Sequence, residues 1–568
     1  MTTSSPCFSG ASDERDRHFR STATAIASVL LWAVSIGLFL LLWIIGPTVL
    51  PWAFDIPQAY RIPAQRWIGS FMNWLINDAG FGLFSFQDAT RFLAALVDIP
   101  YRFALNLLSS GFVVGQGVSA QTILPAIPWF GVILLASIWG HRAGGMRLAL
   151  TMAGCFAFLA VFGQWASAMV TLASILVAVP LGAAGGLLLG IAAWRHAWFE
   201  RALRPVLDLM QTIPVFAYLV PILFLFGFGP TAAVVATLIY AMPPMIRITV
   251  LALKGVTSEI HDLARMTGCT RRQQMWRVLV PSARESLMVG VNQVSHAVAQ
   301  HGDHRLDDGA GGLGFDVLAA LRRLDIGAGI ESGLAIVVLA IALDRLSQAF
   351  AVRASTGFQQ TGGEGFIERN PYLVASFAVL AVTLMIAMAA PAARAYPESL
   401  HLSTGAAGAT LVRWINVNYF DYLEAAKNTV LLNVLVPVKR FMLGLPWSGV
   451  CALLGFAGYR LGGMKLALLA SGLTFLIAVA GQWEKAVITV YLCGISAAIA
   501  LLIGVPLGIL AADRPRMWRW LRPGIDTLQT LPSFVFLMPA VMLFRRRRFS
   551  RLCWRSWLSP LCRPFGIR

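Results

Sequence analysis

Between two apolar runs, the chain reads Gly255-Val-Thr-Ser-Glu-Ile-His-Asp-Leu-Ala-Arg-Met-Thr-Gly-Cys-Thr-Arg-Arg-Gln-Gln-Met-Trp-Arg-Val-Leu-Val-Pro281. Its core is Asp262-Leu263-Ala264, three residues, Gly268, nine residues and Val278-Leu279-Val280-Pro281. Glycine is common just after the last residue of a helix, and proline interrupts a helix. The pattern therefore predicts a short helix ending at Gly268, a turn, and a second helix leading to Pro281.

The composition around this segment is that of a membrane protein. The chain has 568 residues, of which 57% are hydrophobic and 13% charged, and its mean hydropathy is +0.70. These values exclude a soluble enzyme, a disordered scaffold and a nucleic-acid-binding domain. The seven cysteines show no metal-ligand spacing, so we expect no zinc site and no disulfide framework.

Apolar runs long enough to cross about 30 Å of hydrocarbon recur along the chain. The N-terminal tail, 1–22, is polar, and the run that follows is too long for a cleaved signal peptide. If successive spans cross the membrane in opposite directions, the arginine-rich loops all lie on one face. The positive-inside rule predicts that this face is cytoplasmic. We expect interfacial helices within 67–76 and 92–108. The predicted spans are 23–50, 125–140, 146–162, 166–193, 206–228, 231–253, 333–350, 371–391, 446–458, 464–480, 484–511 and 524–544.

The chain repeats itself at a constant offset of 318 residues. Gly144-Gly145-Met146 recurs as Gly462-Gly463-Met464, and Gly163-Gln164-Trp165 recurs as Gly481-Gln482-Trp483. Gln211-Thr212-Ile213-Pro214 recurs as Gln529-Thr530-Leu531-Pro532. A register shared over roughly a hundred residues indicates two fused copies of one membrane unit, in parallel orientation if each copy has an odd number of helices.

The segment from Gly255 to Pro281 resembles the EAA loop of ABC importer permeases, whose pattern is Glu-Ala-Ala, three residues, Gly, nine residues, Ile-x-Leu-Pro. The spacing matches, with departures at Asp262, Leu263, Val278 and Val280. The resemblance implies an all-α, polytopic membrane protein with the type-1 importer permease fold. It also implies that this loop docks on an ATPase subunit and carries its motion to the membrane helices through the residues Asp262, Leu263, Ala264, Gly268, Val278 and Pro281.

Within that family the chain is most similar to permeases for glycine betaine, proline betaine and choline. The similarity rests on Arg204-Pro205 through Pro221, Tyr240 through Arg247, Gly290-Val-Asn292-Gln293 and Gly311-Gly312-Leu313-Gly314. It implies a solute path, lined by a helix that proline interrupts, and a separate periplasmic binding protein that captures the solute. The residues expected along this path are Gln211, Thr212, Pro214, Phe216, Tyr218, Gln529, Thr530 and Pro532.

Two features of these motifs have simpler structural explanations. Phe216 and Tyr218 are two residues apart on a helix, so they cannot form one wall of an aromatic cage, and we expect them to pack at a gate. Arg204 and Asp208 are spaced as an ion pair within one helix. No phosphate-binding motif of the GxxxxGK[ST] type is present, so ATP and Mg²⁺ are expected on another subunit.

The pattern breaks in two places. From Val294 to Asp308 a polar run with three histidines replaces the expected apolar helix, and 545–568 is an arginine-rich tail. We interpret both as local reading-frame slips rather than as a metal site or a basic membrane-binding arm, because charges inside a span cost several kcal/mol. On this interpretation the helix after Pro281 fails to insert, and the second copy stops before its own EAA loop.

The expected organisation is a tail at 1–22, a first helix with an interfacial segment at 23–124, a first permease copy at 125–370 with its core at about 160–350, a truncated second copy at 371–544, and the basic tail.

The predicted function is a permease subunit of an ATP-driven importer for betaine-like osmolytes in the bacterial inner membrane. It has no catalytic residues, metal or nucleic-acid partner. The alternatives are an ABC permease for another small solute, an ion-coupled secondary transporter, which would need a charged group in mid-membrane, and an intramembrane enzyme, which would need paired catalytic groups there.

Overall fold

The computed structural model describes residues 10–80, 85–114, 121–227, 229–301, 311–323, 325–355 and 370–530. The described chain is helical apart from one two-stranded antiparallel hairpin, which the all-α prediction did not include. The elements are α1 Gly10–Val49, α2 Ala64–Asn77, α3 Phe86–Leu105, β1 Phe112–Val114, β2 Gln121–Leu124, α4 Trp129–Val161, α5 Trp165–Arg195, α6 Ala197–Thr212, α7 Val215–Phe226, α8 Pro230–Lys254, α9 Ser258–Met266, α10 Arg271–Gln273, α11 Val280–Ser282, α12 Arg284–His301, α13 Leu313–Arg323, α14 Ile326–Ser355, α15 Pro371–Ala389, α16 Gly405–Asn418, α17 Phe420–Val430, α18 Val436–Leu443, α19 Trp447–Val479, α20 Trp483–Asp513 and α21 Pro515–Thr530.

Nine helices among the described residues are long and apolar enough to cross a membrane. The predicted span 206–228 is wrong, because the chain forms two shorter helices that meet at Ile213 and Pro214. Most of the predicted span 524–544 lies outside the described residues. The nine helices are Val29–Val49, Phe86–Ser110, Trp129–Val161, Trp165–Arg195, Thr231–Lys254, Ile326–Arg353, Pro371–Ala389, Trp447–Val479 and Trp483–Asp513.

The repeated Gly-Gly-Met motif is the turn of a helical hairpin. Gly145 has φ +74°, which favours glycine, and Gly144 is also non-helical. A Cβ on Gly140 would lie 3.1 Å from the Leu148 carbonyl oxygen, so the chain folds back on itself within α4. Gly463, with φ +73°, forms the same turn in α19. The predicted spans on either side of each motif are therefore the two arms of one hairpin.

Helix α3 and the π-helical turn that follows it, Asn106–Ser110, pack against α5, α7 and α8. Three hydrogen bonds join this segment to the end of α7, the start of α8 and the residues before α4. The interfacial placement of 92–108 stays a prediction, because Phe86–Ser110 is also long and apolar enough to be a span. The bonds join Thr90 Oγ1 to the Leu225 carbonyl at 2.7 Å, Thr231 Oγ1 to Asp98 Oδ1 at 2.6 Å, and Ile127 N to the Leu107 carbonyl at 2.9 Å.

The described residues form two compact units: 10–71 with 424–518, and 72–423 with 519–530. In the larger unit, α5, α8, α12 and α14 surround a core whose residues Leu159, Ala173, Val294 and Leu339 are at most 2% exposed. Glycines on α5 let α8 approach closely. A Cβ on Gly190 would lie only 2.5 Å from Thr249 Cβ.

The apolar helices that come before the two hairpins in the chain, α1 and α15, each pack on the hairpin of the other copy. In the larger unit α15 packs on α4, and Leu402 N donates to the Val161 carbonyl at 2.8 Å. In the smaller unit α1 packs on α19, and Ile62 N donates to the Val479 carbonyl at 2.9 Å. The two hydrogen bonds join corresponding parts of the two copies. Leu402 lies 340 residues after Ile62, and Val479 lies 318 residues after Val161.

Disulfide cross-linking tests whether α1 and α15 each pack on the other copy's hairpin. We expect an oxidant to link Ile62→Cys to Val479→Cys, and Leu402→Cys to Val161→Cys, in a cysteine-free background, because each pair is joined by a backbone hydrogen bond. The measurement is the mobility shift of the oxidised chain on a denaturing gel. A link between Ile62→Cys and Val161→Cys instead would show that each helix packs on its own copy.

Candidate functional site: a coupling element and a broken helix

The segment from Ser258 to His301 forms the predicted helix, turn and second helix, and we call it the coupling element. Helix α9 ends in a Schellman motif, in which Gly268 N donates to the Arg265 carbonyl at 3.0 Å and Cys269 N donates to the Ala264 carbonyl at 3.1 Å. Gly268 has φ +72°, and no atom of the described residues lies within 4 Å of the position a Cβ would take. Glycine is therefore required there by the backbone and not by crowding.

One face of α9 is largely exposed among the described residues. Leu263 is 60% exposed and Met266 is 87% exposed, and the Asp262 side chain is also exposed. Ala264 is only 2% exposed, because it faces the second arm of the element. A hydrogen bond from its own backbone amide, and then one from the Thr257 hydroxyl, lower the pKa of Glu259, so a negative charge lies in the first turn of the helix at neutral pH. The result is a helical knob with an apolar, accessible surface.

The second arm runs from a capped start into the core of the larger unit. Thr270 and Gln273 form a capping box, and a π-helical turn over Gln274–Leu279 precedes Pro281. Val278 is half-buried and Pro281 is exposed. The arm thus connects the knob directly to the membrane helices.

The helix after Pro281 is α12, and it packs between α8, α14 and α5, so the expectation that it stays out of the bundle is wrong. Val294 and Val298 are 0% exposed, because they continue the apolar face of α12 through the polar run. The side chains of His296 and His301 and all of 302–310 lie outside the described residues. The reading-frame interpretation itself remains a prediction for both 294–309 and 545–568.

Helix α6 is fastened to α8 by ion pairs at two points. Lys254 Nζ lies 2.7 Å from Glu200 Oε1 and 2.9 Å from Oε2, and Arg247 pairs with Asp208. The predicted pair of Arg204 with Asp208 is wrong, because Arg204 instead lies 2.6 Å from Glu200. Hydrogen bonds from Lys254 and then Arg204 lower the pKa of Glu200, which keeps this carboxylate charged at neutral pH.

A double-mutant cycle measures the first of these links. We expect Glu200→Gln and Lys254→Met each to lower the free energy of unfolding by about 1 kcal/mol, with a coupling energy of about 0.5–1 kcal/mol, because exposed ion pairs contribute little. Because the pKa of Glu200 is lowered on folding, this contribution should be present above the unfolded pKa of about 4.3 and should be lost as the pH falls below it. Additive effects of the two substitutions would show that the pair is not coupled.

The motif at Gln211 marks a break in the helix path. Ile213 and Pro214 are both extended, with ψ of 130° and 139°, so α6 ends before them and α7 begins after them. A residue before proline avoids the helical region, which explains the break. Tyr218 Oη donates a hydrogen bond across it to the Met210 carbonyl. The predicted interruption by Pro214 is confirmed as a complete break rather than a kink.

The other predicted path residues are placed only in part. Gln211, Thr212 and Pro214 are exposed at the break. Phe216 lies on α7, but its side chain is outside the described residues. Gln529 and Thr530 end α21, which matches α6 at the offset of 318, and Pro532 lies outside the described residues.

These contacts connect the knob to the broken helix without a gap. The knob is joined to α8 through the turn at Gly255, α8 is joined to α6 by Glu200 and Asp208, and α6 ends at the broken segment. Sequence reasoning missed Glu200, Lys254 and Arg247. The i,i+4 spacing of Glu200 and Arg204 could have indicated the first, whereas nothing local indicates a partner 54 residues away.

Comparison with known proteins agrees with this geometry. The family described as "Binding-protein-dependent transport system inner membrane component" matches residues 180–356, which contain the coupling element and the broken helix. The trimethylamine N-oxide transport system permease protein of Ruegeria pomeroyi is 34% identical over 529 residues, covering 92% of this chain and 78% of its own length.

Two further relatives define how much of the chain is shared. The corresponding permease of Pelagibacter ubique is 36% identical. The alignment covers 74% of this chain and 59% of that protein. The glycine betaine/proline betaine permease of Escherichia coli is 32% identical and covers 54% of this chain and 82% of its own length. The chain therefore belongs to the multi-pass permease family of binding-protein-dependent ABC importers.

Proposed function

We propose that this chain imports a small methylated-amine solute, of the class that includes glycine betaine, proline betaine, choline and trimethylamine N-oxide. The observation that supports this class is the identity of its relatives: the permeases similar over most of the chain carry trimethylamine N-oxide, and a permease similar over half of it carries glycine betaine and proline betaine. The site of action is the bacterial inner membrane.

The proposed mechanism is alternating access driven from outside the chain. An ATPase subunit, which binds ATP and Mg²⁺, grips the knob by the exposed face of Leu263 and Met266. Its closure moves α8 through the turn at Gly255, and the ion pairs from Glu200 and Asp208 move α6 with α8. The break at Ile213 and Pro214 then lets α7 change its angle and opens a path for solute delivered by a periplasmic binding protein.

Uptake measurements test the proposal and its alternatives. Radiolabelled glycine betaine, choline and trimethylamine N-oxide are supplied to cells that lack their own carriers and express this chain with an ATPase and a binding protein. We expect uptake of at least one of them, and its loss when the phosphate-binding lysine of the ATPase is replaced. Uptake that survives this replacement and stops with a protonophore would support an ion-coupled transporter instead.

A further inference from the structure

A basic cavity of about 650 Å³ lies between the end of α5 and the second arm of the coupling element. Its walls contain three arginines, and none of the described residues that line it is an aspartate or a glutamate. Within the same part of the chain, no ion pair involves any of the three arginines. The residues that matter for its chemistry are Ile191, Trp194, Arg195, Arg271, Arg272 and Trp276.

The cavity combines a cationic rim with accessible apolar surface. Arg195, Arg271 and Arg272 are exposed, Trp276 is 45% exposed, and Ile191 and Trp194 are half-buried. Guanidinium groups bind phosphate oxygens in a bidentate manner, and accessible aliphatic and aromatic side chains can pack against hydrocarbon. A ligand that satisfies both surfaces has a phosphate group and an attached apolar chain.

The position of the cavity favours a membrane lipid as the source of that ligand. Helix α5 is a 31-residue apolar span, and Arg195 is its last residue, so the cavity lies at the end of a span, on the side that the positive-inside rule predicts to be cytoplasmic. Trp194 and Trp276 lie at this level, and tryptophan is typical of the membrane interface. The cytoplasmic leaflet contains anionic lipids that basic pockets between helices bind.

We propose that this cavity binds the phosphodiester headgroup of an anionic phospholipid, with one acyl chain against Ile191, Trp194 and Trp276. The lipid bridges α5 and the second arm of the coupling element, so membrane composition influences the position of the knob. The cavity uses none of the exposed residues of α9, so lipid and ATPase occupy different surfaces of the same element.

Lipid titration of the purified full-length chain tests the proposal. Dioctanoyl phosphatidylglycerol, dioctanoyl phosphatidylcholine and glycerol 3-phosphate are compared by native mass spectrometry. We expect phosphatidylglycerol to bind at least about tenfold more tightly than phosphatidylcholine, since each basic residue favours an anionic lipid. The combined variant Arg195→Gln, Arg271→Gln, Arg272→Gln should lose this preference.

A second triple variant controls for charge. Arg201→Gln, Arg265→Gln and Arg277→Gln remove the same charge from exposed positions that do not line the cavity, and this variant should bind phosphatidylglycerol like the native chain. As a readout independent of the arginines, brominated phosphatidylglycerol should quench more fluorescence in the native chain than in Trp276→Phe.

Four results would overturn the proposal. Equal binding of the two lipids would exclude a headgroup site, and displacement of phosphatidylglycerol by an equal concentration of glycerol 3-phosphate would indicate a site for free anions. An equal loss in both triple variants would indicate bulk electrostatics. Normal lipid binding by the cavity variant, with loss of ATPase co-purification, would assign the cavity to the ATPase.

Discussion

Replacing Gly190 by valine is expected to lower the free energy of unfolding by about 2–3 kcal/mol, because the new side chain has no room between α5 and α8. A Cβ at Gly190 would lie 2.5 Å from Thr249 Cβ and 3.0 Å from the Ile246 carbonyl oxygen. The backbone oxygen cannot move aside as the end of a flexible side chain can. The measurement is a denaturation curve of the purified protein in detergent.

The repeat supplies a matched control for this substitution. Gly508 lies 318 residues after Gly190, on α20, and nothing lies within 4 Å of the position its Cβ would take. Gly508→Val makes the same chemical change in the equivalent helix, so we expect a change within about 0.5 kcal/mol. Equal destabilisation by both substitutions would show that the close contact of α5 with α8 is not the cause.

The second large effect concerns coupling rather than stability. We expect Gly268→Trp to abolish co-purification of the ATPase and to reduce ATP-driven uptake at least about tenfold, while the chain remains folded. The left-handed backbone at φ +72° costs a side chain about 1–2 kcal/mol, and there is open space around it, so the fold survives. The indole, however, projects from the turn beside the exposed face of α9, where we propose that the ATPase binds.

Gly463→Trp is the control for the backbone. Gly463 has φ +73° and no described atom within 4 Å of its Cβ position, but it lies in the hairpin turn of α19, outside the coupling element. Its ψ of −167° makes a side chain there at least as strained as one at Gly268, and the variant should still retain ATPase binding. If both variants lose the ATPase, or if neither does, the docking role of the Gly268 turn is refuted.

Local motifs predicted much of this structure because they act over a few residues. The spacing around Gly268 predicted the helix, turn and helix of the coupling element, since a Schellman motif needs only the residues that form it. Pro214 predicted the interruption of its helix for the same reason. Hydropathy alone placed a single span over 206–228, because a sliding window averages across the break.

Contacts distant in sequence could not be predicted. The sequence pattern did not reveal that α1 and α15 each pack on the other copy's hairpin. The contacts of these helices repeat at an offset of 340 residues, whereas the later motifs repeat at 318. The first copy contains additional residues between these parts, including β1 and β2, which have no counterpart in the described second copy. The pairing of Glu200 with Lys254 likewise depends on how α6 packs against α8, which no local pattern reveals.

The side of the membrane on which α9 lies tests the account most directly. A single cysteine at Met266, which is 87% exposed, is treated with a membrane-impermeant maleimide in intact and in permeabilised cells, with Ile123→Cys on β2 as the control for the outer face. The account predicts that Met266→Cys reacts only after permeabilisation, while Ile123→Cys reacts in both. Labelling of Met266→Cys in intact cells would contradict it, because no ATPase could then reach the coupling element.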